Sequence, residues 1–143
     1  MKKNIILWLL FPLCSWGQTI TNHKNAIVHS SFRVSGASIS DASDATKALI
    51  SIQYTDGLGR PLQTVGYRQS PTAKDIVFEG KTYDTFGRPF KTALTAPTTV
   101  QTGEYQANPS SLASTFYGDN YAYSEITAFD NAPLTRIKIQ YGP

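Results

Sequence analysis

The sequence contains one stretch that occurs twice, as Asp56-Gly57-Leu58-Gly59-Arg60-Pro61-Leu62-Gln63-Thr64 and as Asp84-Thr85-Phe86-Gly87-Arg88-Pro89-Phe90-Lys91-Thr92. The aspartate, one glycine, the arginine, the proline and the final threonine are identical in the two copies. A tyrosine precedes each copy, at Tyr54 and Tyr83, and we expect both rings to pack between repeats. A repeat of this size on a strand-turn-strand unit is typical of arrays whose units stack on one another. We therefore predict a mainly β fold, an antiparallel array of β-hairpins, with repeat units at 54–64 and 83–92.

The repeated residues have a structural explanation as turn residues. An aspartate at the start of a turn accepts backbone hydrogen bonds, and a glycine near its end supplies the left-handed conformation. Gly59 and Gly87 are therefore expected at positive φ, where valine would destabilise the domain by about 1–2 kcal/mol or more. Each aspartate should also meet the arginine across the base of its hairpin, and an exposed pair of this kind contributes about 0–1 kcal/mol. The predicted turn residues are Asp56, Gly57, Gly59, Arg60, Asp84, Gly87 and Arg88.

Alternation of apolar and polar residues predicts the other strands. The predicted strands cover residues 25–35, 50–54, 62–69, 75–83, 89–94, 121–129 and 137–141, the last of them half-buried. One or two helical turns are expected over 41–47, with Ser40 or Asp41 as the N-cap, and a second short helix from Pro109 to about Tyr117, with Asn108 as the N-cap. Residues 70–75 should form a hairpin connection, and residues 96–106, which have no apolar period, a surface loop.

Residues 1–17 follow the plan of a secretory signal. Lys2 and Lys3 precede an apolar run at residues 5–11, and small residues at Ser15 and Gly17 suit cleavage after Gly17. The run is shorter than the roughly 20 residues that cross a bilayer, and no other segment approaches that length. We therefore expect a signal peptide at 1–17, a single β-rich domain at 18–143 without a transmembrane segment, and export to the periplasm, the cell surface or the medium.

Cys14 offers a second interpretation, because a lipoprotein signal ends in a cysteine that becomes lipidated. The large Leu13 and the stiff Pro12 before it argue against that signal. With cleavage after Gly17 the mature chain contains no cysteine, which excludes disulfides, thiolate nucleophiles and zinc-thiolate sites. Loss of the two N-terminal lysines would lower the net charge from +3 to +1. The mature domain would therefore lack the basic excess of a nucleic-acid-binding protein.

No catalytic, cofactor-binding or metal site can be picked from the sequence. His23 and His29 are the two histidines, and no third ligand accompanies them. The carboxylates are scattered, and no nucleophile elbow, phosphate-binding glycine loop or zinc-protease motif is present. We therefore expect a non-enzymatic domain without a cofactor.

The ordered set of motifs resembles a known family. Tyr83-Asp84-Thr85-Phe86-Gly87-Arg88 resembles the YD repeat of Rhs (rearrangement hotspot) proteins, and residues 51–65 are similar to the opening of a domain of unknown function found at the N-terminus of many secreted bacterial Rhs proteins. Residues 70–77 and 131–136 continue the resemblance. In that family the repeats coil as a spiral of β-hairpins into a hollow shell that can enclose a toxic C-terminal domain. The resemblance implies a segment of a polymorphic-toxin shell and, because the further repeats and the toxin do not occur in this sequence, a truncated or split member.

Two surfaces are candidates for binding. The C-terminal strand, with Ile137, Ile139 and Tyr141 on one face, should present an unpaired edge that pairs with a second copy of the chain or with a continuing or neighbouring Rhs polypeptide. The second candidate is the densest aromatic cluster, which could bind a glycan, as in a carbohydrate-binding or adhesion module at the cell surface. It consists of Tyr117, Tyr121 and Tyr123 with Asp119 and Asn120. These rings equally suit packing across hairpins, as aromatic residues in β-arrays usually do.

Overall fold

Within the residues that the structure describes, the fold consists of two antiparallel β-sheets and one α-helix, which confirms the predicted mainly β class. The computed structural model describes residues 20–21, 23–118, 120–131, 134 and 136–142, so the predicted signal peptide lies outside the described residues. The strands are β1 (Asn25–Phe32), β2 (Ala48–Thr55), β3 (Pro61–Tyr67), β4 (Ile76–Phe78), β5 (Lys81–Tyr83), β6 (Pro89–Ala93), β7 (Ala96–Pro97), β8 (Tyr123–Phe129) and β9 (Ile137–Tyr141). The helix is α1 (Pro109–Tyr117), with Asn108 at its N-cap position as predicted. In the described part of the chain, no helix is long and apolar enough to cross a membrane.

The first sheet carries the core of the domain. Its strands lie in the order β1-β2-β3-β4-β7, and Ile52, Val65 and Val77 lie opposite one another on adjacent strands. Alternation along β2 puts every second side chain, from Ala48 to Tyr54, on the buried face. Complete burial of an isoleucine or valine side chain stabilises a fold by about 1.5–3 kcal/mol, so this row anchors the sheet. The predicted hairpin connection at 70–75 joins β3 to β4.

The second sheet has the strand order β5-β6-β8-β9. β6 lies between β5 and β8, and β9 pairs with β8 at the edge. The prediction that the strand at 137–141 is half-buried is wrong, because every residue of β9 is exposed. Its apolar residues Ile137, Ile139 and Tyr141 are 57%, 46% and 56% exposed, since no described element covers that face.

The chain passes from the first sheet to the second at residues 79–80. The single strand predicted over 75–83 is therefore wrong, and two short strands in different sheets, β4 and β5, take its place. Glu79 adopts a φ of 48°, which ends β4. The backbone of Gly80 lies so close to the ring of Pro109 that a side chain at position 80 would collide with it. The start of α1 thus covers the point where the two sheets separate.

The helical turns predicted over 41–47 are wrong in position. A single 3₁₀ turn covers Ile39–Asp41, and Ser38 is its N-cap. Farther along, the Asp44 carboxylate accepts the backbone N–H of Thr46 at 2.8 Å and its hydroxyl at 2.6 Å. Such local side-chain bonds offer the backbone an alternative to helix, which explains why no α-helix forms there.

The segment 96–106 is not the predicted surface loop, because it covers the core of the first sheet. Its first two residues form β7, and Ala96 is buried beside β4. Tyr54 donates from its hydroxyl to the carbonyl oxygen of Gly103 (2.7 Å), and its ring meets that of Tyr105 edge to face at a centroid distance of 5.6 Å. The prediction that Tyr54 packs between repeats is therefore wrong, since its ring holds this covering segment instead.

Asp75 fixes the same segment from its own strand end. Its fully buried carboxylate accepts the backbone N–H groups of Gly103 (2.7 Å) and Arg68 (2.9 Å). Its backbone N–H donates to the carbonyl oxygen of Val100 (3.0 Å), and its carbonyl accepts from the N–H of Thr98 (2.8 Å). Because a carboxylate out of water needs hydrogen-bond donors, these contacts tie the covering segment to the sheet.

Candidate interaction site at the hairpin junctions

Both repeats form the same hydrogen-bonded turn. In the first copy the Asp56 carboxylate accepts the backbone N–H groups of Leu58 and Arg60, both at 2.9 Å, and the Nε–H of Arg60 at 2.6 Å. Asp84 makes the corresponding three bonds in the second copy, at 2.9, 2.9 and 2.7 Å. The predicted aspartate-arginine pairs are therefore confirmed in both turns.

The turn glycines adopt the expected conformation. Gly59 and Gly87 have φ values of 78° and 79°, in the left-handed region that favours glycine. Gly57 lies in the first turn as well, but without a positive φ. The prediction of positive φ at the shared glycine of both copies is thus confirmed.

The arginines also lower the pKa of the turn carboxylates. Burial alone would raise the pKa of Asp56, but hydrogen bonds from the backbone and the side chain of Arg60 outweigh that effect, and the pKa lies below its ordinary value. The same balance holds at Asp84, where burial is outweighed by the bonds from Arg88. Both carboxylates are therefore held in their charged form.

A third hairpin, β8-β9, closes in the same way. The backbone N–H of Asp130 donates to the carbonyl oxygen of Arg136 at 3.1 Å, and the corresponding bond measures 3.0 Å in the first turn and 2.9 Å in the second. The Asp130 carboxylate also pairs with the Arg136 guanidinium, at 2.9 Å. The described part of the chain thus contains three hairpins that share an aspartate-arginine closure.

The strand register next to the turn is the same in the three hairpins. In each, the residue before the turn aspartate lies opposite the residue after the turn arginine, and a β-bulge comes just before it. These opposed pairs are Thr55 with Pro61, Tyr83 with Pro89 and Phe129 with Ile137. An exposed apolar residue also stands two positions before each arginine, namely Leu58, Phe86 and Leu134. We therefore treat β8-β9 as a third repeat unit.

The first and second units meet through an arginine. The guanidinium of Arg60 lies over the ring of Tyr83, 4.5 Å from its centroid, and next to the backbone of Gly87. The hydroxyl of Tyr83 donates in return to the carbonyl oxygen of Pro61 (2.7 Å). The prediction that Tyr83 packs between repeats is therefore confirmed.

The second and third units meet in the same manner. The guanidinium of Arg88 lies 4.4 Å from the ring centroid of Phe129 and donates to the carbonyl oxygens of Asp130 (3.4 Å) and Leu134 (3.3 Å). Arg88 is consequently only 8% exposed. The expectation of an exposed ion pair is wrong for this turn, because the following unit covers the arginine.

The two ends of this series differ. At the first unit, the side-chain amide of Asn25 on β1 donates to the carbonyl oxygen of Asp56 (3.2 Å), as Arg88 donates to Asp130 at the second junction. At the third unit, the Arg136 side chain is 70% exposed. Among the described strands, only β8 pairs with β9. One end of the array is thus covered and the other is open.

The structure separates the tyrosines of the predicted glycan cluster. Tyr121, Tyr123 and Tyr141 line one cleft of about 180 Å³ together with Asn120. Tyr117 lies in a different groove, where its hydroxyl donates to the carbonyl oxygen of Thr95 (2.8 Å). Asp119 lies outside the described residues. Tyr121 is the most exposed of these rings, at 60%.

Sequence reasoning missed the third unit. The aromatic-aspartate pair Phe129-Asp130, followed by Leu134 and Arg136, was the available signal. The longer connection and the lack of a glycine before the arginine made this unit unlike the other two in sequence.

In the described ranges, no three His, Cys, Asp or Glu side chains lie together as metal ligands would.

These features define the class of the protein: a β-hairpin repeat domain in which the arginine of one unit contacts the aromatic residue of the next. Residues 29–143 match the family described as "Domain of unknown function (DUF6443)", and the chain belongs to that family. Searches of curated proteins and of solved structures each found no match to this sequence.

Proposed function

We propose that this domain is a non-enzymatic, exported structural and interaction unit of a β-hairpin array. The resemblance of its repeats to those of Rhs proteins supports a role as the N-terminal segment of a repeat shell of the polymorphic-toxin type. The basic start and the apolar run at residues 5–11 support export to the periplasm, the cell surface or the medium.

One observation carries the proposal, namely the open edge of β9. An edge strand with free backbone groups and an apolar face is a template for pairing with another chain. Ile137, Ile139 and Tyr141 are exposed there, whereas natural edge strands are commonly protected by inward-pointing charges or covering elements. The partner is a second copy of the chain or a repeat-bearing polypeptide.

Sedimentation velocity over a concentration series tests this proposal. The purified protein should form larger species as its concentration rises, alone or with a repeat-bearing polypeptide, and the Ile137→Lys/Ile139→Lys variant should not. Ile27→Lys is the matched control, because Ile27 is 53% exposed on β1, at the edge of the other sheet. Association that resists both β9 lysines, or a monomer under all conditions, contradicts the proposal.

A carbohydrate-binding or adhesion role is the second candidate. The cleft lined by Tyr121, Tyr123 and Tyr141 favours it, because exposed rings beside an amide suit stacking and hydrogen bonding to a sugar. Its volume of about 180 Å³ is below the range usual for small-molecule pockets, so it suits a single ring at most. A glycan array probed with the protein and with Tyr121→Ala tests this role, which predicts binding that the variant loses.

A further inference from the structure

An arginine-aromatic contact occurs at both junctions between units. Arg60 lies 4.5 Å from the ring centroid of Tyr83, and Arg88 lies 4.4 Å from that of Phe129. In both cases the ring belongs to the residue directly before the turn aspartate of the following unit. The near identity of the two distances, in junctions with different neighbours, indicates a repeated contact.

Arg136 is the corresponding arginine of the third unit. It closes its turn onto Asp130 as the two earlier arginines close onto their aspartates. Its side chain is 70% exposed, against 35% for Arg60 and 10% for Arg88, whose guanidinium groups face the next unit. The two arginines that contact an aromatic residue of the next unit are thus less exposed than Arg136.

We propose that Arg136 and the edge of β9 bind a β-hairpin of another polypeptide in which tyrosine or phenylalanine directly precedes the turn aspartate. This inference rests on the proposed function and names the partner of the open edge. The partner strand pairs with β9, and its aromatic ring stacks on the Arg136 guanidinium. The attraction of the cation for the ring face adds to the backbone pairing and sets the register.

A second copy of this chain does not supply such a hairpin. In its first unit the residue before the turn aspartate is Thr55, which has no ring, and Asn25 already contacts that turn. In its second and third units the corresponding rings, Tyr83 and Phe129, are engaged by the copy's own arginines. The geometry therefore favours a different polypeptide over head-to-tail assembly of identical chains.

Two cyclic peptides derived from the repeats test the inference. An isolated hairpin is marginally stable in water, so the probe is a backbone-cyclised peptide of residues 81–92, labelled with a fluorophore, and its counterpart with Tyr83→Thr. Fluorescence anisotropy measures binding of each to the full protein. The tyrosine peptide should bind about threefold to thirtyfold more tightly, the range expected from an exposed to a desolvated cation-ring contact.

Protein variants assign that preference to the arginine. In Arg136→Gln the ratio of the two affinities should fall to about one. Lys138→Gln, which removes the same charge two residues farther along, from the exposed strand β9, should retain the preference for the tyrosine peptide. A circular dichroism spectrum equal to that of the unmodified protein shows that each variant is folded. Equal binding of both peptides to the unmodified protein, or a preference that survives Arg136→Gln, overturns the inference.

The outcomes also separate this inference from the proposed function. If both peptides bind equally and Ile137→Lys/Ile139→Lys abolishes their binding, the edge is an interaction site and the role of Arg136 is wrong. If neither peptide binds at millimolar concentration, the inference fails, and the sedimentation experiment decides the proposed function independently. If the unmodified protein associates only with itself and excludes the tyrosine peptide, a second copy is the partner and the inference is again wrong.

Discussion

Alanine at the two turn glycines measures how much the contact between units contributes to stability. Gly59 and Gly87 have nearly the same φ, 78° and 79°, so the backbone strain from alanine should destabilise the fold equally at both positions, by about 1–2 kcal/mol. Their surroundings differ. A Cβ at position 59 would meet nothing within 4 Å, whereas a Cβ at position 87 would displace the guanidinium of Arg60.

The extra cost at position 87 follows from that displacement. Moving the Arg60 guanidinium away from Gly87 weakens its contact with the Tyr83 ring, which is worth about 0.5–2 kcal/mol according to its exposure. We therefore expect Gly59→Ala to destabilise the domain by about 1–2 kcal/mol, and Gly87→Ala by about 1.5–4 kcal/mol.

Urea unfolding followed by far-UV circular dichroism measures both values, provided that the transition is two-state and its slope is unchanged. Repeating the pair of substitutions in an Arg60→Ala background provides the control. There the excess cost of Gly87→Ala should disappear, because no guanidinium remains to be displaced. Equal costs of the two substitutions in the unmodified protein, or an excess that persists without Arg60, would refute the reasoning.

Three further predictions concern the buried carboxylate, the turn carboxylates and processing. Asp75→Ala should lower the free energy of unfolding by about 3–5 kcal/mol, measured by urea unfolding, because two buried backbone N–H groups lose their acceptor. Asp75→Asn should lower it by less, because one acceptor oxygen remains. Folding lowers the pKa values of Asp56 and Asp84. The two carboxylates therefore stabilise the fold fully above the unfolded-state pKa of about 4, and this stabilisation is lost as the pH falls through the folded-state pKa values. The melting temperature should therefore fall below about pH 4, less steeply in the Asp56→Asn/Asp84→Asn variant, and an equal slope in both would contradict this. Intact mass of the exported protein should give a chain that begins at Gln18, whereas a lipidated Cys14 or a retained Met1 would disprove the predicted cleavage.

The elements that the sequence predicted well are those decided by neighbouring residues. The turns at Asp56 and Asp84 depend on side-chain bonds to backbone groups two and four positions on, and on a glycine at one site. The alternation of β2 reflects burial of a single face and is equally local in its sequence signal. The helix after Asn108 follows from the proline that begins it.

The elements that it predicted wrongly depend on distant parts of the chain. The break between β4 and β5 comes where Glu79 has a positive φ and Gly80 lies against the distant Pro109, a contact that no local sequence pattern indicates. The segment 96–106 looks like a surface loop because it lacks an apolar period, yet Asp75 and Tyr54 hold it over the core through its backbone groups. Hydrogen bonds to backbone leave no signature in the side chains of the segment that is held.

The third unit shows the limit of repeat detection. Its turn connection is longer than the other two and has no glycine before Arg136, so the ungapped alignment of the first two copies does not extend to it. It shares the aspartate-arginine closure and the bulged register with both earlier units, and the aromatic-aspartate pair with the second. The ring of Phe129 and the carbonyl oxygen of Asp130 are the groups that Arg88 contacts at the second junction.

The repeated arginine gives the array a direction. A lysine could supply the charge but not the geometry. The planar guanidinium can donate from Nε to its own turn aspartate while its face lies on an aromatic ring. Its other nitrogens then reach the carbonyl oxygens of the following unit. Arg88 makes all three contacts, with Asp84 behind it and with Phe129 and Asp130 ahead. At both junctions the arginine belongs to the earlier unit and the aromatic ring to the later one. Within the described chain, Arg136 is the arginine of this series that no later unit covers, and its side chain is 70% exposed.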